Sequence, residues 1–177
     1  MNIPNMKLRN ISIVVVVLLI LDQALKIWIK THMCLGESIV VIPDWFQLRF
    51  IENSGAAFGM RIASDGAFDW GKIALSLFRI AGAIGNMLDS AFYGLIFSTS
   101  TPMTPAHFGD GYAPLLMGKV VDMFYFPLFR WDGVPQWLSF LVDENNYFFG
   151  PIFNLADAYI SVAVVYLLLF HYRFFQE

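Results

Sequence analysis

The sequence predicts a membrane protein, mainly an α-helical transmembrane bundle, that carries a small β-sheet cradle outside the hydrocarbon. Three observations predict it. Of the 177 residues, 58% are hydrophobic and only 14% are charged, far more apolar than a soluble domain of this size requires. Three apolar segments, at 11–30, 72–97 and 153–172, approach the ~20 helical residues that cross a bilayer. Between the first two, continuous apolarity gives way to strand-like alternation.

The first segment, 11–30, follows the basic residues Lys7 and Arg9. No small-x-small cleavage site follows Leu21, and the run continues through Trp28. It therefore reads as a retained transmembrane helix rather than a removed signal peptide. Asp22 and Lys26 stand at i,i+4 and can neutralise each other. They are either a snorkelling pair at the interface or a polar anchor for neighbouring elements.

Residues 37–60 are expected to form the external β-cradle. Ile39 to Ile42 is a β-branched run closed by Pro43 and Asp44, and Phe46, Leu48 and Phe50 alternate with Gln47 and Arg49. The strands deliver Glu52-Asn53-Ser54-Gly55-Ala56-Ala57-Phe58-Gly59. Gly55 and its small neighbours let backbone approach a ligand closely, and Asn53 offers both a donor and an acceptor.

The second segment, 72–97, is interrupted by Arg79 and by Gly82-Ala83-Ile84-Gly85-Asn86-Met87-Leu88-Asp89-Ser90. Gly82 and Gly85 permit close helix contact, and Asn86 with Asp89 sets an amide and a carboxylate at i,i+3. The same pairing recurs as Asn154 and Asp157 in the last span, 153–172, where Ser161 extends the polar stripe. A shared interior site and a mere capping or cross-linking role are both readings of that repetition. An ionisable group at membrane depth is costly, so Asp157 requires a partner.

Residues 98–150 are aromatic and turn-rich and are expected as an external loop, with a short interfacial helix at 135–141. Within them Asp122 lies in the strand-like run Val120-Val121-Asp122-Met123-Phe124, which makes it the natural partner of Asp157. Asp110, Asp132, Asp143 and Glu144 sit among polar or turn residues and read as solvated.

Several functions are excluded. A net charge of −3 with no dense basic patch argues against nucleic acid. Cys34 is alone, and the three histidines, His32, His107 and His171, are too scattered for a metal site. No phosphate-binding glycine loop is present, and no cofactor is expected.

Taken in order, Asp22…Lys26, Asn53-Ser54-Gly55-Ala56-Ala57-Phe58-Gly59, Gly82–Asp89, Val120-Val121-Asp122 and Phe153-Asn154-Leu155-Ala156-Asp157 resemble the lipoprotein signal peptidases, the bacterial type II signal peptidases. The resemblance implies an intramembrane aspartic endopeptidase with Asp122 and Asp157 as its catalytic pair. It also implies that Asn53, Gly55, Asn86, Asp89 and Asn154 bind substrate or support the site. The implied substrate is a prolipoprotein cut ahead of a diacylglyceryl-modified cysteine. The other implied partner is membrane lipid, and the location a bacterial cytoplasmic (inner) membrane. Lysine and arginine lead at both ends, so both termini are expected in the cytoplasm; a monomer is expected.

The chain departs from the family in two ways. Ser90 stands where an arginine commonly follows the aspartate. Four spans are expected for the family and only three apolar segments are present, as if the second and third helices were fused with roughly 35–40 residues absent. Segment 72–97 is too short to cross twice at ~20 residues per span. It is therefore either re-entrant, or else 98–150 lies on the opposite side from the cradle. Two alternatives follow: a catalytically impaired, non-enzymatic remnant of the family, or a proton or ion pathway on Asp22, Asp89 and Asp157.

Overall fold

The computed structural model describes residues 8–53 and 82–170. Gly55, the end of the cradle and the start of segment 72–97 lie outside the described residues. Helix α1 spans Leu8–His32. Its buried positions, Asp22, Lys26, Ile29 and Lys30, recur at helical spacing and form one inward stripe. Ile13, Val16 and Ile20 on the remainder are more than half exposed, which suits a helix whose outer face meets lipid. Among the described residues one helix, Ser12–His32, is long and apolar enough to cross a membrane.

Strands β1 (Ser38–Ile42) and β2 (Phe46–Asn53) form an antiparallel hairpin. Its turn holds Asp44 at φ 59, a left-handed conformation that aspartate tolerates because its short side chain bonds locally. Strand β3 (Val120–Tyr125) pairs antiparallel with β2 and completes a sheet of order β1-β2-β3. The register sets Asn53 opposite Val120 and Ile51 opposite Asp122. The two loops thus share one sheet.

Alternation along β3 decides where Asp122 points. Val121 and Met123 join the core with Ile29, Met33, Phe50, Tyr93 and Phe97. Asp122 and Phe124 turn the other way, where Phe124 forms a bridge and a ring contact with Phe153. The backbone N–H of Phe124 donates to Phe153 O at 2.7 Å.

Helix α2, residues 82–96, holds a π-helical turn at Asp89–Tyr93. The loop before β3 packs onto this widened turn: Gly118 N–H donates to Ser90 O at 2.8 Å. A Cβ at Gly118 would lie 2.4 Å from Asp89 O, so only glycine allows the approach. Gly82 and Gly85 do what their spacing suggests. A Cβ at Gly82 would meet Ile160 at 2.6 Å, and one at Gly85 would meet Asp22 Oδ2 at 2.8 Å. After a 3-10 turn at Gln136–Leu141, where the interfacial helix is expected, α3 runs Leu155–Phe170. Asp143 departs from the solvated reading: it is half-buried and accepts a hydrogen bond of 2.5 Å from the Tyr125 hydroxyl. Burial acts to raise its proton affinity, but this bond and the N–H groups of Tyr147 and Asn145 prevail and hold the carboxyl below its usual range.

Candidate active site

The site forms where the start of α3 meets the outward face of β3. Asn154 precedes α3 and caps it. Its Oδ1 accepts from Asp157 N–H at 3.1 Å, and Asp157 Oδ2 accepts from Asn154 N–H at 3.4 Å. This reciprocal pair is a capping box, so the i,i+3 spacing does have the structural role that the sequence left open. The Asn154 amide does more, because its Nδ2 also donates to Asp122 Oδ1 at 2.8 Å and to Asn86 Oδ1 at 3.0 Å. Asn86 Nδ2 donates in turn to Asp157 Oδ1 at 3.1 Å. Two amides, from α2 and from the α3 cap, therefore hold two carboxylates in one lattice.

Asp122 is 7% exposed. Burial, and next the charge of Asp157, push its carboxyl up to about 7, against the Asn154 amide and Lys26, which favour the ionised form. An open cleft of about 420 Å³ reaches Asp122 and is lined by Ile51, Glu52, Asn53, Gly150 and Ile152. Beside it, Phe126 stacks on Phe46 and Phe153, an aromatic wall suited to an apolar ligand.

Behind the carboxylates lies a second polar layer. Lys26 Nζ reaches Asp22 at 3.1 Å, Asp89 at 2.8 Å and Asn86 Oδ1 at 2.8 Å. All three charged groups are buried. Asp22 Oδ1 accepts from Ala156 N–H on α3 at 3.0 Å. Asp22 and Lys26 are thus the polar anchor rather than a snorkelling pair. Asp89 also accepts from Gln23 at 2.9 Å and from Val121 N–H at 3.3 Å, which ties α2 to the residue beside Asp122. Lys26 supplies the cation beside Asp89.

The structure therefore brings together Asp22, Lys26, Asn86, Asp89, Asp122, Asn154 and Asp157, and puts Asn53 on the cleft wall. Gln23 and a neighbouring buried cluster escaped the sequence reading. In that cluster Lys30 pairs with Glu52, Ser100 donates to Glu52 at 2.7 Å, and Lys119 lies 3.4 Å from Glu52. Only the polar interruption of α1 signalled it. Among the described residues no group of histidine, cysteine or carboxylate side chains could hold a metal ion.

The sequence profile described as Signal peptidase (SPase) II matches residues 14–81 and 60–173. The chain belongs to the signal peptidase II family. It is 42% identical to a lipoprotein signal peptidase of Porphyromonas gingivalis, over 93% of this chain and 84% of that protein. It is 31% identical to one of Chlorobium phaeovibrioides, over 80% and 77%. Two solved structures, each described as a bacterial membrane enzyme, superpose with TM-scores of 0.56 and 0.57 at 21% and 22% identity. Both cover 92% of this chain, and the superpositions span 92% and 87% of those chains. This signal peptidase II family member is a membrane protein of that fold. Its alignment with the Porphyromonas protein runs over 199 positions, more than the 177 residues of the chain, so part of the aligned relative has no counterpart here. The two profile matches share residues 60–81, adjoining and entering the segment read as a fusion of two helices.

Proposed function

We propose that this chain is an intramembrane aspartic endopeptidase that removes the signal peptide from prolipoproteins ahead of a diacylglyceryl-modified cysteine. The observation that carries the proposal is the amide lattice, in which Asn154 is bonded to both Asp122 and Asp157. Two carboxylates joined through the same amides, one of them buried, resist double ionisation and share a proton, which supplies one acid and one base.

Peptide hydrolysis needs both. The ionised carboxylate takes a proton from water as the water oxygen attacks the scissile carbonyl, and the protonated carboxyl gives its proton to the carbonyl oxygen. The roles then reverse: a proton passes to the amide nitrogen, the C–N bond breaks, and carboxylic acid and amine leave. The cleft between β2 and β3 receives the extended peptide, with Asn53 bonding its backbone, and the aromatic wall takes the lipid. The polar layer of Asp22, Lys26 and Asp89 is structural in this reading. A proton pathway is disfavoured because both of those carboxylates are bound to the one lysine.

The protein is proposed to lie as a helical bundle in the bacterial inner membrane, as a monomer with cytoplasmic termini, beside basic Lys7, Arg9 and Arg173. The shortened aligned region favours one second reading, a catalytically impaired remnant. Purified protein incubated with a lipid-modified prolipoprotein separates the two. Cleavage before the modified cysteine, abolished by Asp122→Asn and by Asp157→Asn in folded protein, is the expected outcome. No cleavage by the wild type, or cleavage that survives both substitutions, rejects the peptidase reading.

A further inference from the structure

The hydrogen-bond lattice around the two carboxylates is asymmetric, and its asymmetry follows from groups whose donor or acceptor character is fixed. A lysine ammonium has three donors and no acceptor. Lys26 lies 2.8 Å from one end of the Asn86 amide, so that end is the carbonyl oxygen, and the Asn86 NH2 must face Asp157 Oδ1. A backbone N–H is likewise only a donor. Asp157 N–H therefore selects the carbonyl end of Asn154, and the Asn154 NH2 must face Asp122 Oδ1 and Asn86 Oδ1. Neither amide can flip without setting donor against donor.

The four carboxylate oxygens are consequently unequal. Both oxygens of Asp157 accept N–H bonds, from Asn86 and from the Asn154 backbone. On Asp122, Oδ1 accepts from Asn154, and among the described residues Oδ2 has no donor. Hydrogen bonds donated to a carboxylate favour its ionised form. Asp157 also stands in the first turn of α3, where the helix dipole favours negative charge.

We propose that the proton shared by the pair sits on Oδ2 of Asp122, so that Asp122 is the resting acid and Asp157 the base that activates water, and that Lys26 and Asn86 are positioning residues imposing this polarity. The inference rests on the peptidase reading and deepens it. The charged groups facing Asp122 agree: Asp157 on α3 and Asp89 on α2 disfavour its ionisation, and Lys26 on α1 opposes them. Glu52 on β2 lines the cleft, but its charge is taken by Lys30 and Lys119. The raised proton affinity of Asp122 is in keeping with the assignment.

Infrared difference spectroscopy of the full chain in lipid nanodiscs, below pH 7, reads the carbonyl stretch of a protonated carboxyl directly. The expected result is a band component that is lost in Asp122→Asn and kept in Asp157→Asn, where burial still favours the Asp122 proton but its titration moves to lower pH because the Asp157 charge is gone. Asp122→Glu retains a carboxyl if the amide variant folds poorly, and it should shift that component, whereas Asp157→Glu should not. Asn86→Leu removes a donor from Asp157 while keeping both carboxyls, and in that background Asp157→Glu should begin to shift the component. A merely structural role for Asn86 leaves the component indifferent to Asp157→Glu. Absence of the component in the wild type, its loss in Asp157→Asn instead, or its loss in both single variants even at the acid end of a pH series overturns the assignment. Prolipoprotein cleavage measured on the same wild-type sample judges the peptidase reading separately.

Discussion

Replacing Asn154 by alanine or by serine separates its two duties. The Asn154 Nδ2 bond to Asp122 Oδ1, 2.8 Å long, favours the ionised carboxylate and so holds its proton affinity down. A hydrogen bond to a charged group contributes about 1.5–3 kcal/mol, and one pKa unit corresponds to about 1.4 kcal/mol. Both substitutions should therefore move Asp122 about 1–2 units above its value of about 7. The alkaline limb of the kcat/KM profile for lipopeptide cleavage, which reports the free enzyme's acid, should move up by the same amount. Serine still caps a helix and alanine does not. Only Asn154→Ala should lose the further ~1 kcal/mol of the cap, seen as a fall of about 2–4 °C in the unfolding midpoint relative to Asn154→Ser. The assay is a pH–rate series on the three proteins in one lipid, with thermal unfolding in parallel. An alkaline limb that stays in place or moves down in both variants refutes the reasoning. A limb that moves in the alanine variant alone assigns the effect to helix capping and refutes it too.

Two further outcomes follow from the same geometry. Because the Asp122 carboxyl is raised from 3.8 to about 7 in the folded protein, its contribution to stability is fully present below 3.8 and is lost as pH rises through 7. The loss approaches about 4 kcal/mol. Asp122→Asn should flatten this slope in an unfolding series across the range, and an unchanged slope would contradict the buried, protonated carboxyl. Lys26→Met leaves Asp22 and Asp89 buried without their cation and should cost about 3–5 kcal/mol, a fall of roughly 10 °C. Adding Asp89→Asn should restore part of it, and a Lys26→Met protein as stable as the wild type would show that the pair is not an anchor.

Much of the site was legible because it is written in local spacing. Asn86 with Asp89 and Asp22 with Lys26 each lie within one helical turn, where helical period alone sets a pair on one face, and Asn154 with Asp157 has the spacing of a helix cap. Asp122 was legible from its incongruity, a carboxylate in an apolar strand. The Lys30–Glu52–Ser100 cluster was not, since its members are separated by long stretches of chain and no local pattern marks them. The solvated reading of Asp143 failed for the same reason: its partner Tyr125 stands on another element.

Composition and period thus determine that this is a membrane protein with helices, a small sheet and two candidate carboxylates, because apolar length and residue spacing are properties of the chain itself. The side of the sheet on which Asp122 falls depends on the pairing of β2 with β3. The orientation of each amide depends on Lys26 of α1 and on the α3 backbone meeting at one point. Those are contacts between distant segments, and no local rule of sequence specifies them; only the tertiary structure decides which carboxylate oxygens the amides of Asn86 and Asn154 reach.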